Sequence, residues 1–293
     1  MDAALREKRI RELCGCYVTV PTMFNDDEAL SINHDAIGKH VDFLTSNGLV
    51  GDYGIILAGG AAGDFMTMGV DDRIRVTEAV HAAAGGQVVV AMGVQSTSTQ
   101  ELVQLATAAE RIGVDYMQVS PPFYFSATED DFVEYVLAAS AAAPHVGIIL
   151  YNTIVQTGDK LINSGLVQRL LEHCPSFVGL KWASAELLQY ERVIHAFHGR
   201  LSIIDNMLEF VKAKMLGATA FEVHICNHWP EWGVQLVDNL TAGKWEAAHR
   251  QYVEQVLPCA LKLCSSENFL RADSKLLTAV CLHIIGNLET MHG

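Results

Sequence analysis

The chain contains no run of about eighteen apolar residues, so no segment is expected to span a membrane. The opening MDAALREKRIREL is charged and lacks an apolar h-region, so no signal peptide is expected. No CxxC pair exists. The seven cysteines (Cys14, Cys16, Cys174, Cys226, Cys259, Cys264 and Cys281) are odd in number and scattered. That excludes a disulfide framework and a zinc cluster, and suits the reduced thiols of a cytoplasmic protein. Basic residues are scarce, with 20 Lys+Arg against 34 Asp+Glu and a formal net charge of −14. With no basic stripe, nucleic acid is excluded as a partner. Nucleotide loops are missing as well. VPTMFND stands where an open doubly wound sheet would carry GxGxxG, and no P-loop occurs. No cofactor is therefore implied.

What remains is a large apolar core, since half of the 293 residues are hydrophobic and only 18% are charged. Short apolar runs at 16–20, 53–58, 87–92, 116–120, 146–151, 177–182, 201–205 and 220–225 alternate with amphipathic segments. Runs apolar on both faces suit parallel strands covered by helices. Asn33 is placed to cap a helix stopping at Gly48, Asp71 one stopping at Gly85, and Thr97 with Glu101 one stopping at Gly113. Eight βα units at roughly 30-residue spacing predict a closed (β/α)8 TIM barrel, for which about 250 residues are typical. The strand signals stop near 231. The expected organisation is a barrel over 1–230 and a small C-terminal helical extension over 231–293, clearest as helix at 245–263 and 268–285.

The active site of such a barrel sits at the C-terminal ends of its strands. Lys181 lies there, inside the apolar strand FVGLKWA. A desolvated lysine yields more of the neutral amine that attacks carbonyls; the structural alternative is a lysine reaching out to solvent. Tyr151 ends the preceding strand thirty residues earlier, so the two belong on neighbouring strands about 5 Å apart. A phenol there can shuttle protons, although it can equally serve as a packing ring. The Gly59–Asp64 stretch GGAAGD can gather backbone N–H groups around a carboxylate, or simply make a tight turn.

Six segments in register carry a family resemblance: GCYVTVPTMF, AGGAAGDF, PPFYF, YNTIVQTG, GLKWAS and GATAFEVHICNHWP. Together they resemble the first-strand turn, the GTTGE-type loop, the PYY motif, YNxPxxTG, the lysine strand and the eighth-strand pattern of the dihydrodipicolinate synthase/N-acetylneuraminate lyase family of class I pyruvate-type aldolases. The resemblance implies a homotetramer built as a dimer of dimers and a pyruvate-type imine on Lys181. It implies Tyr151 in proton transfer, Gly60, Ala61 and Ala62 around the substrate carboxylate, and Tyr124 near the neighbouring subunit's site.

The chain also departs from that pattern. Ala61 and Ala62 replace two hydroxyl residues, leaving Thr19 and Thr22 as candidates to compensate. Gln156 stands where dihydrodipicolinate synthases carry a carboxylate-gripping arginine, and Ile154 replaces the proline. Asp205, Glu222 and Asn227, at or beyond strand ends, are candidate ligands for a polar substrate chain, and whether Glu222 or the His224/His228 pair faces the barrel turns on strand register. The expected activity is a Schiff-base lyase, aldolase or dehydratase, acting on a 2-oxo acid such as a 2-keto-3-deoxy sugar acid or a related 4-hydroxy-2-oxo acid. The alternatives are a synthase-type condensation of pyruvate with an aldehyde, a non-catalytic 2-oxo-acid-binding paralogue, and a metal-dependent aldolase using the HxxxH pair His224 and His228. For that pair a strand conformation would set the rings about 13 Å apart, too far for one metal.

Overall fold

The computed structural model describes residues 1–152 and 162–258. Its eight strands are β1 Gly15–Thr19, β2 Gly54–Ala58, β3 Val89–Gly93, β4 Tyr116–Val119, β5 Gly147–Tyr151, β6 Phe177–Trp182, β7 Ser202–Asp205 and β8 Ala220–Glu222. Each pairs in parallel with the next, and β8 pairs with β1 to close the barrel. Alternation along the strands makes two apolar layers. Tyr17, Ile55, Leu57, Ala91, Tyr116, Ile149, Val178, Ile204 and Ala220 fill the lumen. Val18, Ile56, Val90, Met117, Leu180, Ile203 and Phe221 face the surrounding helices.

Those helices are α2 His34–Ser46, α3 Val70–Ala84, α4 Thr99–Ile112, α5 Glu129–Ala142, α6 Ser164–His173, α7 Leu187–Phe197, α8 Phe210–Leu216, α9 Pro230–Thr241 and α10 Trp245–Gln255. Nothing in the sequence pattern announces α1, Ala3–Glu12, which closes the N-terminal end of the barrel. Its Leu13 boundary joins the luminal cluster, Arg9 pairs with Asp115, and the Tyr116 hydroxyl donates to the Arg9 carbonyl at 2.7 Å. Asn33 caps α2 as expected, accepting from the Ala36 N–H. Two other caps shift. Gly69 rather than Asp71 precedes α3, which leaves Asp71 in the first turn, where its charge complements the helix dipole. Ser98 rather than Thr97 caps α4, because its hydroxyl accepts from the Glu101 N–H.

The eighth strand also ends earlier than expected, at Glu222, and 224–227 form a 3-10 turn. The cause is tertiary. Asn227 donates to the Thr19 carbonyl at 3.0 Å and shares a 3.0 Å bond with His40 Nε2, which draws the chain across the end of β1. Helix α9 buries Trp232, Leu236 and Leu240 in the same core that the barrel helices share. Most of the expected extension, 268–285 included, lies outside the described residues. Among the described residues no helix is long and apolar enough to cross a membrane.

Candidate active site

The β5–β6 register aligns Tyr151 with Lys181 at the C-terminal rim. Lys181 is the fifth residue of β6 and is only 2% exposed. A lysine buried this deeply has its environment set by what surrounds the amine. Nζ lies over the face of the Tyr151 ring, 4.1 Å from the centroid, and 5.2 Å from that of Tyr17. Ring faces of this kind attract a cation. The Glu222 carboxylate, one of the luminal side chains of β8, completes the cage with Oε1 2.7 Å from Nζ. His224 Nε2 stands 3.4 Å from the same oxygen. Burial pushes the Glu222 carboxyl upward. Lys181 and His224 outweigh it, so the group is held below the ordinary carboxylate value.

Tyr17 and Gln118 belong to this site, although no motif points to either. Tyr17 pairs with Glu222 in the β1–β8 register and extends its hydroxyl to Gln118 Oε1 at 3.0 Å. Burial, then Glu222, then Tyr151, raise the Tyr17 phenol well above its usual range, so it remains a donor. Period-2 alternation could have found it, since Tyr17 shares a strand face with Thr19 two residues on.

The loop after β2 turns sharply at Gly59, whose φ is +65°. Gly93 passes so close that a Cβ there would sit 2.1 Å from the Gly59 carbonyl oxygen, so only glycine fits. Gln95 Nε2 donates to that same oxygen at 3.0 Å. Ala61–Gly63 then form a 3-10 turn, with the Thr19 methyl packed where a Gly60 side chain would be. The Thr22 hydroxyl donates to the Gly63 carbonyl at 2.6 Å. Its proton therefore holds the loop and is not offered to a ligand. Thr19 is buried at the end of β1.

Two expected ligands face elsewhere. Ile204 points into the lumen, so Asp205 points outward against α7. There Oδ1 accepts from the Tyr190 hydroxyl at 2.6 Å and from the Met207 N–H at 2.9 Å. Asn227 spends its amide on Thr19 and His40, so it positions the β8 loop and does not face the lumen. Gln156 lies outside the described residues. Tyr124 is wholly exposed, with a φ of +82°. His224 turns toward Glu222, whereas His228 sits by His40 and is pushed down to about 4 by burial and then by that neighbour. Among the described residues no group of three or more His, Cys, Asp or Glu side chains is gathered as a metal site would be.

Asp205 has a measurable consequence. Burial raises its carboxyl to about 6, well above the unfolded value near 3.9. Between these values the folded state holds a proton that the unfolded state has lost. Stability therefore falls as pH rises through that window, by at most about 3 kcal/mol. Asp205→Asn keeps an acceptor for Tyr190 and Met207 and removes the titration. The variant is expected to match the wild type near pH 4 and to exceed it by about 1–2 kcal/mol at pH 7.5. Denaturant melts at the two pH values would show this, and a variant weaker than wild type at pH 7.5 would contradict it.

Comparison with known proteins agrees with this geometry. A model of the dihydrodipicolinate synthetase family matches residues 12–278. The N-acetylneuraminate lyase of Rhizobium meliloti is 32% identical over 242 residues, covering 82% of this chain and 77% of that protein. The 4-hydroxy-tetrahydrodipicolinate synthase of Marinobacter nauticus is 27% identical over 238 residues, covering 81% and 79%. The crystal structure of dihydrodipicolinate synthase from Oceanobacillus iheyensis superposes with a TM-score of 0.81 at 19% identity, covering 96% of this chain and 89% of that one. A caged lysine at the mouth of an eightfold barrel and a family match running almost end to end lead to one assignment: the chain belongs to the dihydrodipicolinate synthetase family, whose members are lyases of the class I aldolase type.

Proposed function

We propose that the protein is a Schiff-base lyase that binds a 2-oxo acid covalently through Lys181, with a 2-keto-3-deoxy sugar acid or a related 4-hydroxy-2-oxo acid as substrate. The observation that carries this reading is the enclosure of Lys181, which is 2% exposed with its Nζ set against the Tyr151 ring. A buried amine in a barrel mouth has little structural use, and an amine is the nucleophile that carbonyl chemistry requires.

Lys181 attacks C2 of the substrate and water leaves, giving a protonated imine that acts as an electron sink. Breaking C3–C4 then releases an aldehyde and leaves an enamine, which is protonated and hydrolysed to pyruvate. Loss of the C3 proton with departure of a C4 hydroxyl gives the dehydratase outcome from the same imine. Tyr151 borders the imine nitrogen through both steps. The backbone of Gly60, Ala61 and Ala62 receives the carboxylate, and Thr19 lines the loop. A sugar-acid substrate is favoured over synthase-type condensation because Gln156 replaces the arginine that condensing relatives use.

The assembly we infer is a homotetramer. Support comes from the resemblance and from Tyr124. Its left-handed backbone costs roughly 1–3 kcal/mol, and such strain is retained where the side chain has work to do. A phenol projecting wholly from one subunit is placed to complete a neighbour's site.

The test is chemical. Pyruvate and candidate sugar acids are incubated with the protein, reduced with borohydride, and the modified peptide is mapped by mass spectrometry. The expected gain is on Lys181. No gain, or a gain on another residue, would overturn the reading. A coupled dehydrogenase assay for released pyruvate separates the aldolase from the dehydratase.

A further inference from the structure

We infer that Glu222 is a further acid–base of the imine chemistry beside Tyr151, storing on its carboxylate the proton that leaves Lys181 and returning it to the departing hydroxyl. This rests on the Schiff-base reading and names the group that moves its protons.

Any route from a lysine ammonium to an imine must first remove a proton from nitrogen and later supply one to oxygen. Among the described residues, the side chains around Nζ offer few takers. Ala61 and Ala62 carry no titratable group. The Thr22 proton is committed to the Gly63 carbonyl and the Tyr17 proton to Gln118. The Tyr151 ring centroid lies 4.1 Å from Nζ. Glu222 Oε1, at 2.7 Å, is within direct transfer distance. Among the described residues, Lys181 from β6, His224 from the following turn and Tyr17 from β1 face that carboxylate. Burial raises the Glu222 carboxyl, but Lys181 and His224 outweigh it and hold the group below its ordinary value, so the carboxylate is ionised when the substrate arrives.

The proton balance closes without an outside acid. Lys181 ammonium and Glu222 carboxylate become amine and carboxylic acid. The amine attacks C2 to form a carbinolamine, with its second proton passing from nitrogen to oxygen. Glu222 then protonates the hydroxyl, water departs, and the nitrogen keeps one hydrogen as the iminium. The carboxylate is restored as its counter-ion. One proton, held within the pair, serves both steps.

A held proton makes the rate insensitive to bulk pH. The rate of borohydride-trappable adduct formation with pyruvate in the wild-type protein is expected to be flat between about pH 6 and 8, because the proton is passed within the pair and is not drawn from solvent. In Glu222→Gln the dehydrating proton must come from solvent. The adduct is still expected on Lys181, but about 100-fold more slowly at pH 7, within the usual range for loss of a general acid–base, and more slowly still as pH rises. A purely structural role for Glu222 would lower the amount of active protein without tilting the profile. An amide variant with wild-type rate and a flat profile would overturn the inference while leaving the Schiff base intact. Should that variant not fold, the wild-type profile decides: a rate changing tenfold per pH unit across pH 6–8 overturns it. Absence of any wild-type adduct defeats the Schiff-base reading instead, so the two failures are distinguishable.

Discussion

Lys181→Met is expected to eliminate the borohydride-trapped adduct and to lower turnover by at least about 10⁴-fold, the scale on which removal of a covalent nucleophile acts. Methionine matches the lysine stem in length and fills the same space between the Tyr17 and Tyr151 rings, so the barrel wall is kept while the nitrogen is lost. Lys181→Arg is expected to be equally inactive even though it preserves the charge beside Glu222, because a guanidinium does not give up its proton to become a nucleophile. The pair of variants separates the need for a cation from the need for an amine. Single-turnover assays with mass spectrometry of the reduced protein provide the measurement. More than about 1% residual activity in either variant, with contaminating enzyme excluded, would contradict covalent catalysis through this residue.

The legibility of this site in the sequence follows the range of the forces that built it. A lysine within FVGLKWA is visible because a charge in a doubly covered strand is anomalous on its face, and Tyr151 is visible because one crossover brings it alongside. The strands themselves are readable as apolar runs for the same reason. Facing is harder, since it depends on parity. Asp205 and Glu222 look alike as acids at strand ends, yet Ile204 and Ala220 take the luminal positions. One acid is thereby sent outward to Tyr190 and the other inward to Lys181. The end of β8 is harder still. The run AFEVHI is locally a good strand, and what breaks it is a pair of hydrogen bonds from Asn227 to partners more than 180 residues away in sequence. Tyr17 escaped notice because a tyrosine in a first strand is an ordinary core residue until Glu222 and Gln118 are known to stand beside it.

The second large effect concerns stability. Breaking a buried ion pair from one side leaves an uncompensated charge, which costs about 3–5 kcal/mol, whereas replacing both partners with apolar residues is often neutral or stabilising. Glu222→Leu is therefore expected to destabilise the protein by roughly that amount, and Lys181→Met/Glu222→Leu to recover most of it. The pH dependence carries a sharper signature. In the wild type Lys181 holds the Glu222 carboxyl below its unfolded value, so the group's contribution is complete above about pH 4.3 and disappears as pH falls through the lower folded value. In Lys181→Met the opposing effect, burial, is left to dominate, and the folded value moves above the unfolded one. The folded state then holds a proton that the unfolded state has released, and stability declines as pH rises from about 4.3 toward neutrality. The difference between Lys181→Met and wild type is thus expected to be small near pH 4.5 and to widen by pH 7, and to lose that dependence once Glu222→Leu is added. Denaturant unfolding of the four proteins at both pH values measures the cycle. Additive single costs, or a difference that does not change with pH, would mean that the two side chains do not share a proton-linked interaction, and the pairing on which the site is built would be wrong.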